Sequence, residues 1–244
     1  MNTFAFQIIW KLSVISLLAV ACVFGTANAG DMGGGTVVFA GADARERAYF
    51  SYGGLIHHFS GDILSNGFLV RVAGFNSRYN YKTPAVSGGT VEADAALIDG
   101  MVGYQMVTES YALRGFVGLD YEDHSLSPNN AFDPNQGSHF GSKVQGEFET
   151  DFASPYYVNL MSSYGSARDR YWARARAGYD FSGYVVGPEA RFTGDRIYDD
   201  QRFGAFLTFR NILPVMATVS AGSSDSGDRA GVVPYIATEL SITF

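Results

Sequence analysis

Arginines and carboxylates at alternate positions are the residues of this chain with chemistry to offer. Arg174 and Arg176 lie two apart, as do Glu189 and Arg191, the spacing that puts side chains on one face of an extended strand. Antiparallel pairing of those two stretches would bring both signs together, and a guanidinium forks onto a carboxylate through parallel N–H···O bonds. That chemistry is ion pairing, or the gripping of a hydrophilic solute by a polar wall. Catalysis has less to stand on. Of the four histidines (His57, His58, His124 and His139), His124 is close to Ser125 and Ser127. Nearness along a chain does not make the gathered Ser, His and Asp or Asn of a hydrolase. In a strand, His57 and His58 would point to opposite faces, a poor arrangement for one metal. Asp225-Ser226-Gly227-Asp228 lacks the spaced acids and distal glutamate of a calcium loop. Cys22 is the lone cysteine, which excludes a disulfide scaffold and a cysteine-based zinc cluster. The expectation is a protein that is not an enzyme, with no catalytic residue, no metal site and no cofactor.

Side chains at such spacing need strands to hold them, and the chain is patterned for strands. Val232, Pro234, Ile236, Thr238, Leu240, Ile242 and Phe244 share one face, against Val233, Tyr235, Ala237, Glu239, Ser241 and Thr243 on the other. Around Trp172, the series Tyr171, Ala173, Ala175, Ala177, Tyr179 and Phe181 alternates with Trp172, Arg174, Arg176, Gly178 and Asp180. Each segment thus has an apolar face and a polar one. Only 17% of residues are charged against 47% hydrophobic, with 15 Tyr, 19 Phe, 29 Gly and three lysines (Lys11, Lys82 and Lys143). A disordered chain is excluded by the aromatics, and net charge −7 argues against a nucleic-acid partner.

A soluble sandwich would also alternate, but its aromatics gather in the core and its outer face is rich in Lys and Glu. Here Tyr104, Tyr111, Tyr121, Tyr156, Tyr164, Tyr171, Tyr179 and Tyr184 fall near segment ends, as in the interfacial girdles of a membrane barrel. The reading is all-β: an outer-membrane antiparallel up-and-down β-barrel of about twelve strands. The windows are 36–44, 47–57, 66–81, 90–106, 110–122, 140–150, 155–164, 170–181, 184–194, 200–210, 214–222 and 229–244. With both ends periplasmic, connections at 107–109, 151–154, 182–183 and 211–213 are short and inside. Those at 82–89, 123–139, 165–169, 195–199 and 223–228 are longer and outside, the asymmetry of such barrels. Connections 45–46 and 58–65 break the rule, so ten to fourteen strands fit. Pro188 and Pro234 fall inside windows, where each removes a ladder donor and suggests a bulge or a fraying end.

Parity gathers Arg71, Glu92, Asp94, Arg114, Asp120, Lys143, Glu147, Glu149, Arg174, Arg176, Glu189, Arg191, Arg202 and Glu239 inside the barrel. The candidate lumen network is Arg71, Arg114, Arg174, Arg176, Glu189, Arg191 and Arg202. Asp99 has the opposite parity to Glu92 and Asp94, which implies a bulge or a non-strand end in that window. Two roles fit this interior: a polar lumen for a hydrophilic solute such as a glycan, or a plug of paired charges in a barrel too narrow to conduct. The plug is preferred, since no long connection besides 123–139 is placed to fill the interior. Asp123, His124, Asn129 and Asn130 lead into that longest loop, the candidate surface for a partner.

Residues 1–29 read as a signal peptide. Lys11 precedes the apolar run Leu12 to Phe24, and Ala27-Asn28-Ala29 supplies the small residues of a cleavage site, leaving 30–244 as the barrel domain. The run of about 13 residues is short for a spanning helix, and Ala19-Val20-Ala21-Cys22 lacks the leucine of a good lipobox. Loss of Lys11 leaves 16 basic against 24 acidic residues, a net charge of −8. The ending Leu240-Ser241-Ile242-Thr243-Phe244 is similar to the signal read by the outer-membrane barrel-assembly machinery. That machinery and outer-membrane lipid are therefore expected partners, and the cell outer membrane the expected location.

Several short stretches, in order, resemble the cellulose biosynthesis protein BcsS family. They are Phe39-Ala40-Gly41, the segment Tyr49 to Gly54, Gly67-Phe68-Leu69-Val70-Arg71 and Gly103-Tyr104-Gln105. Next come Gly118-Leu119-Asp120-Tyr121-Glu122-Asp123-His124 with Ser127-Pro128, then Tyr171-Trp172-Ala173-Arg174, Gly187-Pro188-Glu189 and the end at Phe244. The resemblance implies a component that accompanies a bacterial cellulose synthase, with cellulose or its secretion components as partners. It supplies no catalytic motif. A generic pore or structural barrel and a membrane-embedded lipid enzyme are the competing classes.

Overall fold

Twelve strands follow one another around a closed barrel in a computed structural model. It describes residues 34–87, 89–128, 133, 136–150, 153–196, 198–212, 215–226 and 231–244. The expected leader with its expected cleavage point after Ala29, and the loop residues Asn129 and Asn130, lie outside these. In chain order the strands are β1 (Thr36–Arg45), β2 (Ala48–His58), β3 (Gly67–Lys82), β4 (Thr90–Val107), β5 (Tyr111–Ser127) and β6 (Gly137–Thr150). There follow β7 (Tyr156–Gly165), β8 (Arg170–Asp180), β9 (Tyr184–Gly194), β10 (Asp199–Ile212), β11 (Val215–Ser226) and β12 (Val233–Thr243). Each pairs antiparallel with its neighbours, and β12 closes on β1 in the register Val38 to Ile242. Closure leaves no edge, so backbone donors and acceptors that face hydrocarbon are satisfied within the wall.

Alternation sends one side chain in two to each surface. Ile98, Val102, Val117, Leu119, Val144 and Leu160 face outward and exposed. Aromatics bound this band. Tyr121, Phe140, Tyr164 and Tyr171 lie toward one rim; Phe68, Tyr104, Tyr156, Tyr179 and Tyr184 lie toward the other. Tyr111 and Tyr121 of β5 are ten residues apart, about 33 Å along a strand. At a ~40° tilt that spans the ~25 Å apolar height of an outer-membrane barrel.

Strand ends explain the departures from the sequence reading. β4 keeps an unbroken register with both neighbours, so there is no bulge in it. Asp99 therefore faces inward, while Glu92 and Asp94 face outward, where Asp94 accepts from Arg78 Nε at 2.5 Å. Pro188 interrupts the β8–β9 pairing between Arg176–Glu189 and Tyr179–Val186 without shifting the register. Gly178 and Gly187 meet in this gap. A Cβ on Gly187 would stand 1.9 Å from the carbonyl oxygen of Ala177, so the close approach of the strands needs glycine.

The early connections that break the loop-length rule are real. β1 and β2 join through the turn at Glu46-Arg47, with Arg47 at φ 62°. The 59–66 connection is long because it folds into the barrel end instead of extending away. Asp62 caps it through Leu64 N, at 2.8 Å, and Gly61 takes the positive φ of 80° that the turn requires. Ile63 is thereby buried against Leu69, Met101 and Phe116. Fully buried Gln105 donates from Nε2 to the carbonyls of Ile63 (2.7 Å) and Ser65 (2.9 Å). This corrects the expectation that only the 123–139 loop could constrict the interior.

Candidate functional site

All seven residues of the candidate lumen network line the interior, and the register shows how they are paired. Pairing of β8 with β9 sets Arg176 opposite Glu189, but also Arg174 opposite Arg191. Two facing arginines need a shared carboxylate, which Glu239 of β12 supplies. Glu239 accepts from Arg174 Nη1 at 2.7 and 2.8 Å, from Arg176 Nη2 at 2.8 Å and from Arg191 Nη2 at 3.2 Å. Glu189 accepts from Arg176 Nε at 2.5 Å and Arg191 Nε at 2.6 Å. Tyr235 and Ser220 hydroxyls complete its shell at 3.1 and 3.2 Å. Arg176 and Glu189 are only 3% and 2% exposed. Burial at that depth is tolerated because every charge there has a partner.

The same arrangement repeats around the wall. Toward the rim that carries the 46–47, 166–169 and 195–198 connections, Asp43 of β1 lies 3.0 Å from Arg202, and Asp200 bridges Arg202 (2.6 Å) and Arg45 (3.2 Å). Opposite them Asp99 sits between Arg71 and Lys143, whose Nζ donates at 2.6 Å. Arg114 donates to Gln105 Oε1 at 2.5 Å and to Glu147 Oε2 at 3.3 Å. Asp43, Arg45, Glu122 and Asp200 are network members that the sequence reading left out. Asp43 and Arg45 carried a usable signal, alternating with the apolar residues of β1.

The same rim differs from expectation. β5 runs to Ser127, so Asp123 and His124 belong to a strand and not to the loop that follows. His124 points inward and is buried beside Glu122 and Arg168, while Asp123 points outward and accepts from Ser138 Oγ at 2.6 Å. Ser125 is exposed on the face opposite His124, so the two do not meet. In the 166–169 turn, hydrogen bonds from Tyr164 and then Arg196 hold the exposed Asp169 carboxyl below its usual range. His57 and His58 also separate: His57 Nδ1 is 2.9 Å from Thr36 Oγ1, and buried His58 bonds Ser60 Oγ at 2.7 Å. Asp225 and Ser226 close β11, and the rest of that turn, Gly227 and Asp228, lies outside the described residues.

Aromatic rings occupy the inner wall that the charges leave. Phe39, Phe50, Tyr52 and Phe75 of β1, β2 and β3 form a continuous patch with centroids 5.8 to 6.3 Å apart. Trp172 faces the same space, with the Arg174 guanidinium 5.6 Å from its ring. Between the patch and the arginines lies a cavity of about 300 Å³. A second, of about 230 Å³, adjoins it toward the rim of Arg45 and Tyr198, and both are lined by Asp43, Phe50, Trp172 and Arg191.

A closed, girdled wall around a polar, ion-paired interior defines an outer-membrane-type β-barrel. Within that class, the chain belongs to the cellulose biosynthesis protein BcsS family, whose model matches residues 37–244. Among solved structures it is similar to the β domain of the Bordetella autotransporter BrkA: 12% identity, TM-score 0.50, covering 87% of this chain and 100% of that one. The KdgM porin in complex with disordered oligogalacturonate matches at 11% identity and TM-score 0.48, over 85% and 99% of the two chains. LpxR from Salmonella typhimurium matches at 12% and 0.45, over 86% and 100%. At such identities the likeness concerns the fold alone. No curated protein matches the chain.

Proposed function

We propose that this protein is a non-catalytic accessory of bacterial cellulose biosynthesis or export that resides in the outer membrane and contacts glycan or the secretion apparatus. A cleaved leader over residues 1–29 takes it there, and the barrel-assembly machinery inserts it. The observation that carries the reading is family membership over 37–244 in a chain whose inward arginines are engaged with carboxylates of the same wall. The pairs brace the interior and, with the apolar clusters around Ile63 and Tyr157, plug it against through-flow while leaving a recess above those clusters. Charges so committed are poorly placed to move protons for a reaction or to select ions in a stream. Deletion of the gene tests the reading. Secreted or cell-associated cellulose should fall and return with a plasmid copy, while the tagged protein fractionates with the outer membrane. Unchanged cellulose, or a protein found only in soluble fractions, would refute it.

A further inference from the structure

We infer that the recess inside the barrel is a binding site for an uncharged, flat-faced glucan segment that enters from the outer side. The inference rests on the glycan contact proposed above and names its site and chemistry.

The smaller cavity is bordered by Arg45, Tyr79, Tyr81 and Tyr198, from the ends of β1 and β3 and the β9–β10 connection, all on the side of the external turns. It continues into the larger one past Phe50 and Trp172. At the other end Ile63 packs on Leu69, Met101 and Phe116, and Tyr157 packs with Val185 and Phe206. A guest therefore enters from outside and stops above these apolar clusters. Cavities of about 300 and 230 Å³ are of the order that small-molecule sites occupy, from about 300 Å³ upward.

Charge sets the ligand class. Arg174, Arg176 and Arg191 are answered by Glu189 and Glu239, Arg202 by Asp43 and Asp200, and Lys143 by Asp99. An acidic sugar would have to pull a buried arginine from its carboxylate and leave that carboxylate uncompensated. Hydroxyl groups ask for no such exchange, because each can accept from a guanidinium edge and donate to a carboxylate oxygen already in place. The aromatic patch supplies the complement. Phe50, Tyr52 and Phe75 are half-buried rings set side by side, a surface for the C–H face of a sugar ring.

Trp172 is a built-in reporter, since the other tryptophan, Trp10, lies in the 1–29 leader. Full-length barrel purified in detergent is titrated with cellohexaose and with hexagalacturonate, reading Trp172 emission and calorimetric heat. Cellohexaose should bind saturably and hexagalacturonate at least tenfold more weakly. Phe50→Leu and Phe75→Leu should each weaken cellohexaose about two- to tenfold, and the outward Tyr104→Leu should leave it unchanged. Heat-modifiable migration checks that each variant folds, and the comparison of the two sugars stands on the unaltered protein. No cellohexaose binding, tighter binding of the acidic sugar, or folded inner variants with unaltered affinity would overturn the inference. The two readings fail separately: absent binding with cellulose still lost on deletion sinks only this site, while binding with unchanged cellulose sinks only the cellular role.

Discussion

Replacing Glu189 by Gln isolates what the ion-pair network does. The side chain is fully buried, and it accepts from Arg176 at 2.5 Å, Arg191 at 2.6 and 3.1 Å, Ser220 at 3.2 Å and Tyr235 at 3.1 Å. Glutamine keeps the shape and one acceptor but removes the charge. Breaking a buried pair from one side typically costs ~3–5 kcal/mol. The lower end applies here, because Glu239 still reaches both arginines, at 2.8 and 3.2 Å. A loss of ~3 kcal/mol corresponds to a drop of about 6–12 °C in Tm for a chain of this length. The control is Asp169→Asn, whose pair with Arg196 is half exposed on both sides, so water screens it and its loss should leave Tm close to the parent's. Thermal unfolding in detergent, followed by heat-modifiable migration, reads both variants. A wet, conducting lumen gives the reverse balance: Glu189→Gln would unfold with the parent and shift ion selectivity in planar bilayers. That result would refute the reasoning.

Three further outcomes follow from the same geometry. Ile63→Asp places a charge among Leu69, Met101 and Phe116 and should dislodge the 59–66 connection, producing conductance steps in planar bilayers; a variant as silent as the parent counts against the stopper. Deleting Phe244 removes the backbone bonds to Thr36 at 2.8 and 3.1 Å that finish the β1–β12 seam, so insertion should slow; normal outer-membrane levels and migration would contradict this. Asp169→Cys should take an impermeant maleimide on intact cells, while Leu64→Cys should react only after the outer membrane is opened; the opposite pattern inverts the topology.

Much of this barrel was legible because side-chain alternation is set by the backbone itself. Arg174, Arg176, Glu189 and Arg191 were placed by parity alone, and the β8–β9 register paired them as that parity allows. Other features depend on three-dimensional distance. That Glu239 is shared by three arginines could not be read, since β12 lies four strands from β8 around the wall. Nor could the inward fold of 59–66, which rests on Gln105, some 40 residues later in the chain. His124 was misplaced because β5 extends five residues past its apolar pattern, into polar residues that a loop would also carry. Glu92 and Asp94 share a parity opposite to that of Asp99, but which set faces inward is not legible from charge, because beyond the hydrocarbon band the outer face also carries acids.

A braced recess that does not pass through the barrel is what sets this lumen apart from a pore. Purified, folded protein added to planar bilayers at high salt measures that directly. The expected record shows no ohmic steps at moderate voltage, and steps appear only when the 59–66 stopper is displaced. Stable, voltage-independent open channels from the unaltered protein would contradict it.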